Sequence, residues 1–115
     1  MIFPTIELYD RLAIAEIKWE KTQANLEELE WYQDHCVVSM DVRELYEDLK
    51  DIHRQIWALE AELKSGREQE LALEEIGRRA IAIRDLNNIR VNLKNTIAER
   101  LDDPVREIKK DHLSE

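Results

Sequence analysis

Along the first third of the chain, Leu8, Leu12, Ala15, Trp19, Thr22, Leu26 and Leu29 recur at alternating spacings of four and three. That spacing holds them on one helical face and predicts a first helix over about residues 5–33. Thr5, directly after Pro4, is the expected N-cap, because its hydroxyl can accept a free backbone N–H. A second stripe of Ile6, Ala13, Ile17, Ala24 and Trp31 lies nearly opposite the first. A helix apolar on two faces requires neighbours on two sides.

The segment "QDHCVVSMD" breaks this pattern and reads as a connection. Asp41, with Glu44 three residues on, forms a capping-box pattern that opens a second helix over about residues 41–65. Its seam, Leu45, Leu49, Ile52, Ile56, Leu59 and Leu63, has the spacing of coiled-coil-like packing, and Leu45, Ile52, Ile56 and Leu59 are expected in the core. Gly66 closes this helix. A third covers about residues 67–101, with Gly77 a weak point inside it. Asp103 and Pro104 then open a short final helix over about residues 104–113. The expected class is all-α, one domain over residues 1–115: an antiparallel bundle of three long helices plus a short C-terminal helix.

Composition agrees with long helices, since glycine and proline number only two each. Acidic residues outnumber basic ones by 26 to 17, so the averaged field repels nucleic acid and anionic lipid, and neither is expected as a partner. No apolar run reaches the ~20 residues a membrane span needs. Cys36 is the only cysteine, which excludes an intrachain disulfide and suits a reducing compartment. The opening "MIFPTIELYD" lacks a basic n-region, so the expected location is cytoplasmic. His35 and Cys36 adjoin, but a zinc site needs three or four ligands. With no HExxH, paired CxxC, glycine-rich phosphate loop or GxSxG, neither metal nor cofactor is expected.

The third helix carries the unusual chemistry. Its apolar arc holds Ile76, Ile83, Leu86, Leu93, Ile97 and Leu101, yet Arg79, Asn87, Arg90 and Lys94 fall within about 40° of the arc's centre. A cation buried without a partner is costly, so these groups need carboxylates. The candidates are Glu16, Asp10 and Glu60, with Glu16 or Glu60 first for Arg90 and Lys94 at the mouth of the same site. One reading is an ion-pair network that fixes register. The other is a cationic pocket for a carboxylate or phosphate, built from Asn87, Arg90, Lys94, Glu16 and Glu60. Tyr46, His53, Trp57 and Glu60 form a shoulder beside the second seam, where His53 and Glu60 could act as an acid–base pair.

The stretches "ELYDRLAIAEIK", "IHRQIWALEAEL", "LNNIRVNLKNTI" and "EIKKDHL" resemble a family of small bacterial proteins of unknown function. That family shares an E-L-x-D-[KR]-L-x-I-x-E-I-K start, a Trp-containing helix, an N-D-x-R-x-x-x-K helix and a charged tail. Glu7, Asp10, Glu16 and Lys18 match the first element, and Asn87, Arg90 and Lys94 the third. Asn88 stands where the family usually has Asp, and His53 where it often has Asn. The resemblance implies an all-helical fold and a setting in surface-polysaccharide metabolism, but no reaction. Two functions follow from the residues themselves. The first is a self-associating interaction or scaffold protein, a homodimer with Ile17 or Trp31 in the contact. The alternative is a binder or enzyme for a small anionic metabolite, similar in architecture to helical chorismate mutases, which hold a dianion with cations and amides inside a bundle.

Overall fold

A computed structural model describes residues 4–64 and 72–103 of the chain. It comprises four α-helices: α1 (Thr5–Thr22), α2 (Leu26–His35), α3 (Arg43–Lys64) and α4 (Leu73–Arg100), with a 3-10 turn at Met40–Val42 before α3. No strand occurs among the described residues. The expected final helix, the closing role of Gly66 and the start near Arg67 lie outside the described residues.

The expected first helix is two helices. Its apolar stripes continue through residues 22–25, but the backbone does not. Gln23 takes the left-handed conformation at φ 51° and ends α1, its N–H bonding to the carbonyl of Trp19. Thr22 Oγ1 bonds back to the Lys18 carbonyl and also accepts the Ala24 N–H, so the hydroxyl turns the chain locally. Asn25 then donates to the Ala15 carbonyl at 3.1 Å and to Glu28 at 3.1 Å, pinning the start of α2 back against α1. The signal was present as Asn25 followed three residues on by Glu28. It was outweighed by an apolar rhythm that survives the break.

This folding-back changes which stripes of α1 are covered. Ile6, Ala13 and Ile17 from one stripe and Leu12 and Ala15 from the other are all buried within one chain. Leu29 of α2, Val42, Tyr46 and Leu49 around the start of α3, and Ile97 and Ala98 of α4 complete the main core. α1 packs against α2, α3 and α4, and α3 packs against α4. In α3, Leu49, Ile52 and Ile56 are buried as a seam should be, whereas Leu45 and Leu59 are only half-buried. Tyr46, expected on the shoulder, is fully buried, with its ring edge-on to Tyr9 at 6.0 Å.

Capping differs from expectation at both helix starts. Thr5 is already helical and Pro4 holds the cap position without a side-chain bond. The missing acceptor comes from far along the chain: Asp103 Oδ2 accepts the Ile6 N–H at 3.1 Å, and Asp103 is itself buried. α4 aims it there. Asp102 is left-handed at φ 57°, its N–H bonds to the Glu99 carbonyl, and the Asp103 N–H bonds to that of Ala98. This is a Schellman closure, and it delivers a carboxylate to the positive end of α1. Before α3, Ser39 rather than Asp41 is the cap, of the 3-10 turn, its hydroxyl accepting the Asp41 N–H.

The molecule is unevenly packed. None of the described residues from Trp57 to Arg90 is buried, although this stretch holds the end of α3 and the first half of α4. Leu59, Ile76, Ile83 and Leu86 are half-covered there, and Leu73, Ile81 and Ile89 are exposed. α3 and α4 thus extend as a two-helix arm from a body built on α1 and α2.

Two glycine exchanges in opposite directions should both stabilise the protein. A Cβ at Gly77 would meet nothing within 4 Å, so Gly77→Ala should gain about 1 kcal/mol from helix propensity. Gln23→Gly should gain a similar ~1 kcal/mol by relieving a left-handed residue that carries a side chain. Asp103→Ala should cost ~1–2 kcal/mol through loss of the cap. Urea unfolding followed by circular dichroism measures all three, and Gly77→Ala or Gln23→Gly that destabilised would contradict the local geometry.

Candidate functional site

The inward face of α1 reads Ile6, Asp10, Ala13, Ile17, a four-three-four rhythm with one carboxylate set among apolar side chains. All four are buried. Asp10 therefore gathers donors from the helices facing it. His53 Nε2 on α3 lies 2.8 Å from Oδ1. Arg90 Nη1 and Lys94 Nζ, one turn apart on α4, lie 3.3 Å and 3.6 Å from Oδ2. Lys94 also bonds Glu7 at 2.9 Å, one turn before Asp10 on α1. Asn87 accepts from Arg90 Nε at 3.2 Å and donates to the Ile83 carbonyl at 3.2 Å, holding the guanidinium in line.

This arrangement corrects the expected pairing. Arg90 meets Asp10, whereas Glu16 bonds the Tyr46 hydroxyl and Lys50. Lys94 is not at a mouth; at 4% exposure it is one of three buried polar residues among those described. His53 pairs with Asp10 rather than with Glu60. Arg79 lies on the arm and pairs with Glu75 and Glu62. Asn87, Arg90 and Glu60 do come together with His53, lining one cleft.

Among the described residues, two carboxylates, Glu7 and Asp10, face two cations, Arg90 and Lys94. Burial pushes the Asp10 carboxyl up, but the His53 hydrogen bond and the positive charges of Lys94 and Arg90 outweigh it. The group is held below its ordinary value of 3.8. Burial, and then the bond to Glu16, drive the Tyr46 hydroxyl far upward, so it stays protonated and donates. Burial chiefly, and Glu16 secondarily, push the Cys36 thiol up to about 11, which leaves no thiolate for nucleophilic chemistry at neutral pH. Among the described residues no three His, Cys, Asp or Glu side chains are placed to hold a metal ion.

Beside the cluster, where α1 meets the arm, lies a cleft of about 460 Å³. Its walls are Ile14, Ile17, Ile56, Trp57 and Ala61, and its polar groups are His53, Glu60, Asn87 and Arg90. No described helix is long and apolar enough to cross a membrane. The chain matches no protein-family model, no curated protein and no solved structure.

Two measurements test the network. Arg90→Met should cost about 3 kcal/mol, the low end for breaking a buried pair, because Lys94 stays beside Asp10. Asp10→Met with Arg90→Met should cost less than the sum of the single changes, since neither charge is then stranded. Additive costs in that cycle would show that the two groups do not interact. The pH dependence follows from the depressed carboxyl. Its stabilisation is complete above the ordinary value of 3.8 and is lost as pH falls through the lower folded value. The gap in unfolding free energy between the wild type and Asp10→Asn should thus be largest near neutrality and shrink toward pH ~3. A gap independent of pH would contradict this assignment.

Proposed function

We propose that this chain is a self-associating interaction protein, a helical scaffold whose second copy docks on the α3–α4 arm. The observation that carries this reading is the absence of any buried residue among those described from Trp57 to Arg90, despite their many apolar side chains. Two helices cannot enclose a core by themselves, whereas two such pairs related by a two-fold axis make a four-helix unit. Ile81 and Ile89, eight residues apart on one side of α4, are each about half exposed and supply the new contact. Glu74, Glu75, Arg78, Arg84 and Asp85 present both signs of charge along the same helix, so a two-fold contact can be self-complementary.

The order of the cross-helix pairs supports an antiparallel bundle within each copy. Glu7 with Lys94 and Asp10 with Arg90 run in opposite directions on α1 and α4, as do Glu62 and Arg79 relative to His53 and Arg90 on α3 and α4. The site of association shifts from the sequence-based expectation, because Ile17 is 1% exposed within a single chain. Trp31 stays outside, stacked on His35 at 3.9 Å, and is a secondary surface. A cytoplasmic setting belongs to this reading, in keeping with the single buried thiol. The alternative of a pocket for an anionic metabolite loses support from the pairing of Arg90 with Asp10 and of Lys94 with Glu7.

Sedimentation velocity should show a monomer–dimer equilibrium that tightens with added salt, because two copies of formal charge −9 repel each other. Ile81→Asp should weaken it more than about 100-fold, since an unpaired charge would be buried at the contact. Helix content should stay unchanged, because Ile81 is exposed in one chain. A monomer at every concentration and salt would remove the scaffold reading.

A further inference from the structure

The cleft beside the Asp10 cluster has a feature that self-association does not use. A carboxylate only accepts, so the His53 nitrogen facing Asp10 carries the proton, and Nε2–H donates across 2.8 Å. In the neutral imidazole the other ring nitrogen, Nδ1, is then a lone-pair acceptor. No described residue bonds it, and His53 lines the cleft. The neighbouring polar groups are already committed. The Asn87 amide accepts from Arg90 and donates to the Ile83 carbonyl, and Arg90 donates through both Nε and Nη1. The cleft thus joins apolar walls to a polar end of His53, Glu60, Asn87 and Arg90, where the His53 ring keeps one nitrogen that no described residue engages.

We propose that this cleft binds a neutral small molecule with an aromatic or branched apolar body and a single O–H or N–H donor, which bonds to His53 Nδ1. The volume of about 460 Å³ falls within the range of small-molecule sites, and their usual design is an apolar lining with few oriented polar groups. Ile14, Ile17, Ile56 and Ala61 contact the body, and the indole of Trp57 offers a flat face for a ring. Asp10 acts as the orienting partner: it fixes the tautomer and keeps the lone pair aimed at the ligand, without touching it. A dianion is disfavoured, because the carboxylate of Glu60 lines the cleft and Arg90 and Lys94 already face carboxylates.

Indole and 1-methylindole are suitable probes, having nearly the same shape and differing in the N–H donor. In titrations followed by NMR, indole should shift Trp57 and the His53 ring nitrogens saturably, and should bind about fivefold or more tightly than 1-methylindole. His53→Phe should abolish that preference while retaining weak binding of both probes. Ala61→Trp, at an exposed helical position that lines the cleft, should block both without loss of helix content. Equal affinity for the two probes, or no saturable shift at Trp57 and His53, would overturn the proposal. So would benzoate binding more tightly than indole, which would return the site to an anion reading. Binding of indole only to the Ile81→Asp monomer would also overturn it, by showing that a second copy fills the cleft.

Discussion

A carboxylate taken out of water must be surrounded by donors, and Asp10 obtains them from two other helices. Because its oxygens accept from α3 on one side and α4 on the other, three helices are held in one register. A slip of α4 by one turn would bring Ala98 to the place where Lys94 meets Glu7 and Asp10. Two carboxylates would then share one cation in a dry environment. Apolar packing alone would resist such a slip weakly, since Val91, Ile97 and their neighbours are similar in kind. The charged cluster thus contributes more to the choice of alignment than to net stability.

The same cluster marks the boundary between two kinds of packing. On one side lies the body, where α2 folds back on α1 and the side chains interdigitate around Tyr46 and Leu49. On the other lies the arm, whose apolar residues are only half-covered. The cleft sits at the joint, between Ile14 and Ile17 of α1 and Ile56, Trp57 and Ala61 of α3. Its polar end is therefore the flank of the charged network, while its apolar walls come from α1 and α3. A contact made on the arm and a molecule held in the cleft would draw on the same helices.

Much of the fold was legible because helical periodicity reports directly on burial. Leu49, Ile52, Ile56 and Ile97 were readable as inward positions. The break at Gln23 was not, because no glycine or proline marks it and the apolar spacing passes through it unchanged. The cations Arg90 and Lys94 were recognised as inward, but their partner was ranked below Glu16 and Glu60. The sequence alone does not say which stripe of α1 faces α4. When α1 meets α3 and α4 through Ile6, Ala13 and Ile17, the carboxylate on that stripe, Asp10, is the one that arrives. The acceptor role of His53 could not be read at all, since it depends on which ring nitrogen another helix engages.

The clip between Asp103 and the Ile6 N–H joins positions 97 residues apart, and this bears on the order in which the protein assembles. As the chain emerges during synthesis, the first turn of α1 has no side-chain acceptor of its own. It gains one only when the last turn of α4 has been made and has closed around Asp102. Isolated short helices are marginal in water, so α1 alone would fray from its start. Its completion is coupled to the arrival of α4, the element that also brings Arg90 and Lys94 to Asp10. Such long-range closure slows folding and makes it cooperative. An early fragment carrying α1 and α2 would expose the stripe of Ile6, Ala13 and Ile17, the surface most prone to wrong contacts before the chain is complete.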